Sequence, residues 1–249
     1  MGTKRLDKFL SETANVTRKE AKVLLSKGKV FVNGELCKNG DTKVAETDEV
    51  LLDGKKLGVV EEFLYLMLHK PTGVVSATED KKDKTVLDVV REQEDEFPIG
   101  KRELFPVGRL DKDTEGLLLL TDDGELAHRL LSPKRHIDKV YYAKVLGIVP
   151  EDAIERFANG IWVGKEYEAM PAKLEILNIS LQENTSEVQI TLREGKFHQV
   201  KRMCHEIGCE VIYLKRLSMG SLQLDNNLPI GKCRKLTEEE IQKLKEDVM

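Results

Sequence analysis

The residues best placed to do chemistry lie between positions 106 and 124, which read PVGRLDKDTEGLLLLTDDG. Asp111 occupies a polar turn between two cations, Arg109 and Lys112. A carboxylate held beside a cation stays ionised and can act as a nucleophile or as a proton acceptor. Acidic residues are also common in turns that have no catalytic role. The residues alone leave both interpretations open.

The elements around this turn favour a rigid mounting for Asp111. Four leucines, 117–120, follow Gly116 and end at a second polar turn, 121–124, which is the pattern of a buried strand. A helix is predicted through Leu126 and Leu130 until Ser132-Pro133. A loop joined directly to a core strand would fix the carboxylate in place, as a catalytic group requires.

The segment G-R-L-D-x-D-T-x-G-L-L-L-L-T-D-D-G resembles the signature of RNA pseudouridine synthases of the RsuA type. The resemblance implies that Asp111 is the catalytic aspartate. It also implies a reaction in which the bond between uracil N1 and ribose breaks and the base rejoins through C5. No net oxidation or hydrolysis occurs, so we expect no metal and no redox cofactor.

Three further segments resemble motifs of the same family. The segment L-H-K-P-T-G-V-V-S-A-T, from Leu68, resembles the first motif, to which we assign an architectural role. In the strand K-V-Y-Y-A-K, the family places a tyrosine two positions after a lysine, which favours Tyr141 over Tyr142. The segment E-G-K-F-H-Q-V-K-R-M, from Glu194, resembles the third motif, and we predict that the stretch from Arg193 to Met203 begins a helix that continues to Gly208.

The resemblance assigns a role to each candidate site residue. Asp111 supplies the carboxylate, either as nucleophile or as acceptor of the C2′ proton, and Lys201 supplies the cation that keeps it ionised. Tyr141 is expected to stack on the target base and to assist proton transfer. Arg109 would occupy the space left by a flipped nucleotide or contact its phosphate. Arg202 is expected to touch RNA, whereas His198 is equally well explained as a packed helix residue.

The first 58 residues predict a small module of two helices and a hairpin. Thr17 and Glu20 form a capping box that should begin the second helix, Gly28 should end it, and Asn33-Gly34 is a strong hairpin signal. The segments R-L-D-K-F-L and T-R-K-E-A-K-x-L-L-x-x-G-K-V-x-V-N-G resemble an S4 RNA-binding domain. The resemblance implies RNA contacts by five basic side chains: Arg5, Arg18, Lys19, Lys22 and Lys27. A helix face that is merely solvated is the alternative.

We therefore predict an α+β protein with an S4 RNA-binding domain at residues 1–58 and a pseudouridine synthase catalytic domain at 59–249. The first domain is a small α/β unit. The second should contain a mixed, mainly antiparallel sheet flanked by helices. A polar stretch at residues 58–62 is the expected linker.

Composition limits the class and the compartment. The formal net charge is −4, yet residues 1–58 hold twelve Lys or Arg and nine Asp or Glu, a net charge of +3. The acidic remainder weakens nonspecific attraction to RNA without excluding a specific site. No signal peptide or membrane span is evident, and the four cysteines fit no disulfide framework, so we expect a cytoplasmic protein. The spacing of Cys204 and Cys209 near two histidines fits no common zinc site. We expect a monomer.

The motifs also indicate a substrate. F-H-Q-V-K-R-M and the opening of the first motif look more like the enzyme that acts on small-subunit ribosomal RNA than its large-subunit relatives. The prediction is one uridine in 16S ribosomal RNA, without membrane contact. A uridine in large-subunit (23S) RNA is the alternative within the class. A non-catalytic S4 adaptor is the alternative outside it, and the presence of Asp111, Tyr141 and Lys201 argues against that.

Overall fold

A computed structural model describes residues 3–14, 16–45, 47–57, 63–93, 99–100 and 102–249. The chain divides into two compact units, Met1–Glu62 and Phe63–Met249. The predicted linker at residues 58–62 lies outside the described residues. Within the described ranges, no helix combines the length and the apolar character that crossing a membrane requires.

Among its described residues, the first unit contains two helices and six short strands, which confirms the predicted helical pair and hairpin. Thr17 accepts a hydrogen bond from the Glu20 backbone and Glu20 returns one, which confirms the capping box at the start of the second helix. The turn at Asn33-Gly34 joins two antiparallel strands. The elements are β1 (Thr3–Arg5), α1 (Leu6–Thr13), α2 (Arg18–Ser26), β2 (Val30–Val32), β3 (Glu35–Leu36), β4 (Lys43–Ala45), β5 (Val50–Leu52) and β6 (Lys55–Leu57).

The second unit alternates long strands with short helices. Its elements are β7 (Tyr65–Lys70), α3 (Val86–Arg91), β8 (Phe105–Pro106), β9 (Glu115–Thr121), α4 (Gly124–Leu131), β10 (Lys139–Leu146), α5 (Ala153–Asn159), β11 (Trp162–Val163), β12 (Tyr167–Glu168), β13 (Lys173–Ser180), β14 (Thr185–Leu192), α6 (Gln199–Glu206), β15 (Glu210–Met219), β16 (Leu222–Gln223), β17 (Cys233–Lys235) and α7 (Glu238–Asp247).

A nine-stranded sheet forms the core of the second unit. Its main path runs β13-β14-β10-β15-β9-β7-β17, with β16 beside β15 and β8 beside β9. Only β15 and β9 are parallel among these pairs, so the sheet is mixed and mainly antiparallel. This confirms the predicted fold class.

Both faces of the central strands are covered, which explains the unbroken leucine run in β9. Leu118 and Leu120 pack into one hydrophobic cluster, whereas Leu117 and Leu119 pack into another on the opposite face. Successive side chains of a strand point to opposite faces, so a strand covered on both sides is apolar throughout. The loop that carries Asp111 is therefore tied to one of the most deeply buried strands.

The helix predicted within the third motif begins later than the start of that motif suggests. Residues 193–198 form a loop, His198 is left-handed with φ 49°, and α6 begins at Gln199. The left-handed backbone at His198 turns the chain into α6. His198 itself lies beside Asp111.

Candidate active site

Lys70 anchors the loop that carries Asp111. Its side chain is fully buried at the end of β7, and its ammonium group donates to the carbonyl oxygens of Pro71, Asp111, Lys112 and Thr114 at 2.9–3.4 Å. Three of these four carbonyls belong to residues 111–114, so the buried ammonium holds the backbone of that loop in place. The first motif thus acts on the site through the backbone of the Asp111 loop.

Three more hydrogen bonds join the first motif to the same loop. The Ser76 hydroxyl accepts from the Leu110 amide at 3.0 Å and donates to the Leu110 carbonyl at 2.9 Å. The Gly73 amide donates to the Lys112 carbonyl at 2.8 Å. Asp111 therefore sits on a backbone held on both sides, as a positioned carboxylate requires.

Lys201 stands between two carboxylates. Its Nζ lies 3.3 Å from Asp111 Oδ2 and 2.5 Å from Asp113 Oδ1. Partial burial opposes ionisation of Asp113, but the hydrogen bond and charge of Lys201 outweigh it and hold the pKa of Asp113 below its ordinary value. On the other side, His198 Nε2 lies 3.6 Å from Asp111 Oδ1. Asp111 thus faces an ammonium and an imidazole from α6 and its N-cap.

A pocket of about 430 Å³ opens beside Asp111 and contains Arg109, Tyr141 and Lys201 in its lining. The sequence placed these residues far apart, and the fold brings them to one cavity. Tyr141 is 9 % exposed. Tyr142 instead donates its hydroxyl to Glu187 at 2.7 Å, on the opposite face of β10. Of the two neighbouring tyrosines, Tyr141 is the one in the pocket.

Arg202 does not line this pocket. Its guanidinium forms an ion pair with Glu166 at 2.8 Å and lies 5.4 Å from the Tyr167 ring centroid. It borders a smaller depression next to Lys201 instead. Any RNA contact by Arg202 would therefore lie beside the pocket.

The basic residues predicted to bind RNA in the first unit differ in their availability. Arg5 pairs with Asp7 at 2.8 Å and with Asp41, so two carboxylates hold its guanidinium. The other four are exposed at α2 or just after it, without an ion-pair partner in the described part of the chain: Arg18, Lys19, Lys22 and Lys27. The exposed face of α2 is therefore a basic surface whose cations are not held in ion pairs with described residues.

Two family models match the chain. Residues 64–206 match the RNA pseudouridylate synthase model, and residues 4–50 match the S4 domain. The chain belongs to the RNA pseudouridylate synthase family. It is an RNA pseudouridine synthase of the RsuA type with an N-terminal S4 domain.

The relatives of the synthase include enzymes named for each ribosomal subunit. The chain is 44% identical to an RNA pseudouridine synthase of Bacillus subtilis over 97% of its own length and 98% of that protein. It is 41% identical to the ribosomal small subunit pseudouridine synthase A of Pasteurella multocida, covering 95% and 97% of the two chains. It is 40% identical to the ribosomal large subunit pseudouridine synthase B of Bacillus subtilis, covering 97% and 95%.

A solved structure shares the fold of the synthase. A crystal structure described as a pseudouridylate synthase is 38% identical, with a TM-score of 0.65 over 96% of this chain and 99% of that chain. The match extends along both units.

Sequence reasoning missed several residues that the fold brings to the pocket of the synthase. Phe197 is 69 % exposed at the pocket and stacks on His198 with ring centroids 3.8 Å apart. Lys139 and Arg216 are buried in the pocket lining. The spacing K-x-Y drew attention to Tyr141 and could have flagged Lys139. No local signal marked Arg216, which becomes notable only through its neighbours on other strands.

The role of Lys70 in the synthase gives a stability prediction. Lys70→Met removes the donor of four carbonyls, and a hydrogen bond from a charged donor is worth about 1.5–3 kcal/mol. We expect the free energy of unfolding at pH 7.5 to fall by roughly 2–3 kcal/mol, with a lower kcat because the Asp111 loop loosens. Denaturant unfolding and turnover measure the two effects. Lys81→Met, which removes an exposed lysine, should change stability by no more than about 0.5 kcal/mol.

The same variant tests a pH dependence. Burial, opposed by the nearby charges of Asp113 and Asp111, lowers the pKa of Lys70 from 10.5 to about 8. Between these values the folded chain binds fewer protons than the unfolded chain, so this group makes the free energy of unfolding rise with pH. The stability difference between wild type and Lys70→Met should therefore widen from pH 8 to pH 10. A constant difference would show that Lys70 stays charged throughout.

Proposed function

We propose that this synthase converts one uridine of 16S ribosomal RNA to pseudouridine, with Asp111 as the catalytic carboxylate. The observation that carries the proposal is the convergence of Asp111, Lys201 and Tyr141 at one pocket. The pocket supplies a carboxylate, a cation beside it and an aromatic ring, which are the groups that the isomerisation needs. The S4 domain and the exposed cations at the pocket supply RNA contacts.

Each pocket residue has a task in this proposal. Lys201 pairs with Asp111 and orients it until it attacks C1′ or accepts the C2′ proton, and Tyr141 stacks on the flipped uracil and assists proton transfer. Arg109 is exposed at the pocket mouth, where it can contact a phosphate or fill the gap left in the RNA. Asp113 draws Lys201 partly away from Asp111, so the cation is shared between a catalytic and a supporting carboxylate.

We assign residues 1–58 to RNA binding and residues 59–249 to catalysis, in the cytoplasm and as a monomer. In the first domain the exposed face of α2 is the main contact surface, with Arg18, Lys19 and Lys22 on the helix and Lys27 just after it. Arg5 ends β1 and is held by two carboxylates, so its RNA contact would require an exchange of partners.

The helix face gives a prediction about affinity. The double variant Arg18→Gln, Lys22→Gln is expected to weaken ribosomal RNA binding and to lower the slope of log K against log salt by about 0.7–0.9 for each phosphate that the helix no longer neutralises. Fluorescence anisotropy at several salt concentrations measures both. Lys55→Gln, which removes an exposed lysine without an ion-pair partner among the described residues, serves as the single-charge control. Equal salt slopes for wild type and the double variant would remove α2 from the RNA interface.

The choice of the small subunit rests on the sequence F-H-Q-V-K-R-M and on similarity to small-subunit enzymes. Relatives named for the large subunit are almost as similar, so a 23S uridine is the second candidate. Carbodiimide mapping of ribosomal RNA from cells that lack this chain distinguishes them. We expect one pseudouridine to disappear from 16S RNA, and a loss confined to 23S RNA would establish the second candidate.

A further inference from the structure

Arg216 is a buried cation whose charge has no partner among the described residues. Its side chain is 2 % exposed, and Nε donates to the Leu117 carbonyl at 2.8 Å. Nη2, also buried, has no hydrogen-bond partner and no carboxylate within 4 Å in the described part of the chain. An unsatisfied buried guanidinium nitrogen is costly, so its presence calls for an explanation.

The position of Arg216 in the sheet supplies that explanation. Arg216 lies directly opposite Tyr141 in the antiparallel pair β10–β15, and directly opposed residues project from the same face. Both side chains line the pocket that contains Asp111. If the Tyr141 ring stacks on the target uracil, the side chain on the adjacent strand meets an edge of that base.

Lys139 adds a second buried nitrogen to this end of the pocket. It opens β10 and is 8 % exposed, and its Nζ donates to the Ile137 carbonyl at 3.2 Å. Lys139 and Arg216 line the same pocket. Burial, and then the charge of Arg216, lowers the pKa of Lys139, and the charge of Asp138 opposes this shift. Asp138 is itself paired with Arg193 at 2.8 Å. Positive charge is thus concentrated at a place where no described carboxylate forms an ion pair with either buried cation.

We propose that Arg216 Nη2 donates a hydrogen bond to a carbonyl oxygen of the target uracil and stabilises the negative charge that the base carries after it leaves the ribose. This deepens the proposed function and rests on it. When the C1′–N1 bond breaks, its electron pair remains on the base and spreads over N1 and the carbonyl oxygens. C5 then bonds to C1′, its proton leaves, and a proton adds at N1, so the composition is unchanged.

A phosphate is a poorer occupant for this end of the pocket. Phosphate oxygens are strongly hydrated, and Arg216 lies among apolar side chains such as Leu192 and Leu214. The exposed cations Arg109, Arg193 and Lys196 are at the same pocket and suit the RNA backbone. A planar base with partial charges fits the buried end, where a preorganised donor is worth most at the moment that charge develops.

The test compares two leaving groups in single-turnover reactions. Arg216→Gln is assayed on RNA containing uridine and on the same RNA containing 5-fluorouridine, whose base is more acidic and needs less stabilisation. We expect a loss of roughly 10²-fold or more on uridine, the scale of a lost oxyanion donor, and a loss at least fivefold smaller on 5-fluorouridine. Chromatography of the digested RNA measures the loss of each nucleoside. Because 5-fluorouridine has no C5 proton to release, its product keeps fluorine on C5 and takes up water across N1 and C6. Arg193→Gln, an exposed pocket arginine, should change both rates by one factor.

Each outcome separates this proposal from the proposed function. Equal losses on the two substrates, or no loss, would overturn the role of Arg216 while leaving the isomerisation intact. A wild-type protein that converts neither substrate would overturn the proposed function itself. If Arg216→Gln does not fold, wild type is tested with 2-thiouridine and 4-thiouridine RNA. A rate at least fivefold lower for one of them is expected, and unchanged rates for both would overturn the contact.

Discussion

Asp111→Asn is expected to abolish pseudouridine formation, with a loss of roughly 10⁴-fold or more, the scale of removing a nucleophile or its base. The amide keeps the size of the carboxylate and the four-carbonyl anchor on Lys70, but it can neither attack C1′ nor accept a proton. The affinity for RNA should change by less than about threefold, which corresponds to about 0.7 kcal/mol, because every group assigned to RNA binding is retained. Single-turnover conversion and fluorescence anisotropy measure the two quantities.

Asp113→Asn is the matched control for this variant. It removes the same charge two residues away and the shorter of the two Lys201 ion pairs, yet it leaves Asp111 in place. We expect less than about a tenfold loss, because Lys201 then turns wholly to Asp111. Turnover by Asp111→Asn above one hundredth of the wild-type rate would contradict the catalytic assignment.

Gly116→Ala is expected to have the largest effect on stability. Gly116 has φ +107°, and a Cβ there would lie 2.6 Å from the backbone nitrogen of Arg216 and 2.9 Å from its carbonyl carbon. Placing a residue other than glycine in a left-handed backbone conformation costs about 1–3 kcal/mol of stability, and an overpacked contact costs a similar amount. We therefore expect the free energy of unfolding to fall by roughly 3 kcal/mol or more, with loss of activity as β9 and β15 separate.

Gly124→Ala offers the matched control, since the same methyl group is added close by in the chain. Gly124 opens α4, has no left-handed strain and has nothing within 4 Å of its added Cβ. Stability should be unchanged or higher by up to about 1 kcal/mol, because alanine favours helices. Thermal and denaturant unfolding of both variants supply the comparison. Equal stability of the two variants would show that β9 and β15 tolerate a side chain at position 116.

Elements with strong local signals could be predicted from the sequence. The capping box at Thr17 and the Asn33-Gly34 turn each fix a boundary through contacts between near neighbours. The leucine run of β9 was identifiable as a buried strand because four apolar residues lie between two polar turns. Local chemistry decides these features, so a single sequence contains them.

The start of α6 and the environment of Arg216 could not be derived in this way. The third motif was expected to turn helical early, but the left-handed His198 delays α6 to Gln199, a geometry that depends on packing against the Asp111 loop. The environment of Arg216 is set by Tyr141 and Gly116, which lie opposite it on the two neighbouring strands. The order of strands in a mixed sheet depends on tertiary packing, so no local sequence pattern predicts it.

The most direct test of the central claim is tritium release from ribosomal RNA labelled at uridine C5, with purified protein and separate small- and large-subunit substrates. The C5 hydrogen leaves only when the base rejoins the ribose through C5. We predict release of about one equivalent from 16S RNA and none from 23S RNA. Release from 23S RNA alone would contradict the assigned substrate, and release from neither substrate would contradict the isomerisation of free ribosomal RNA by this chain.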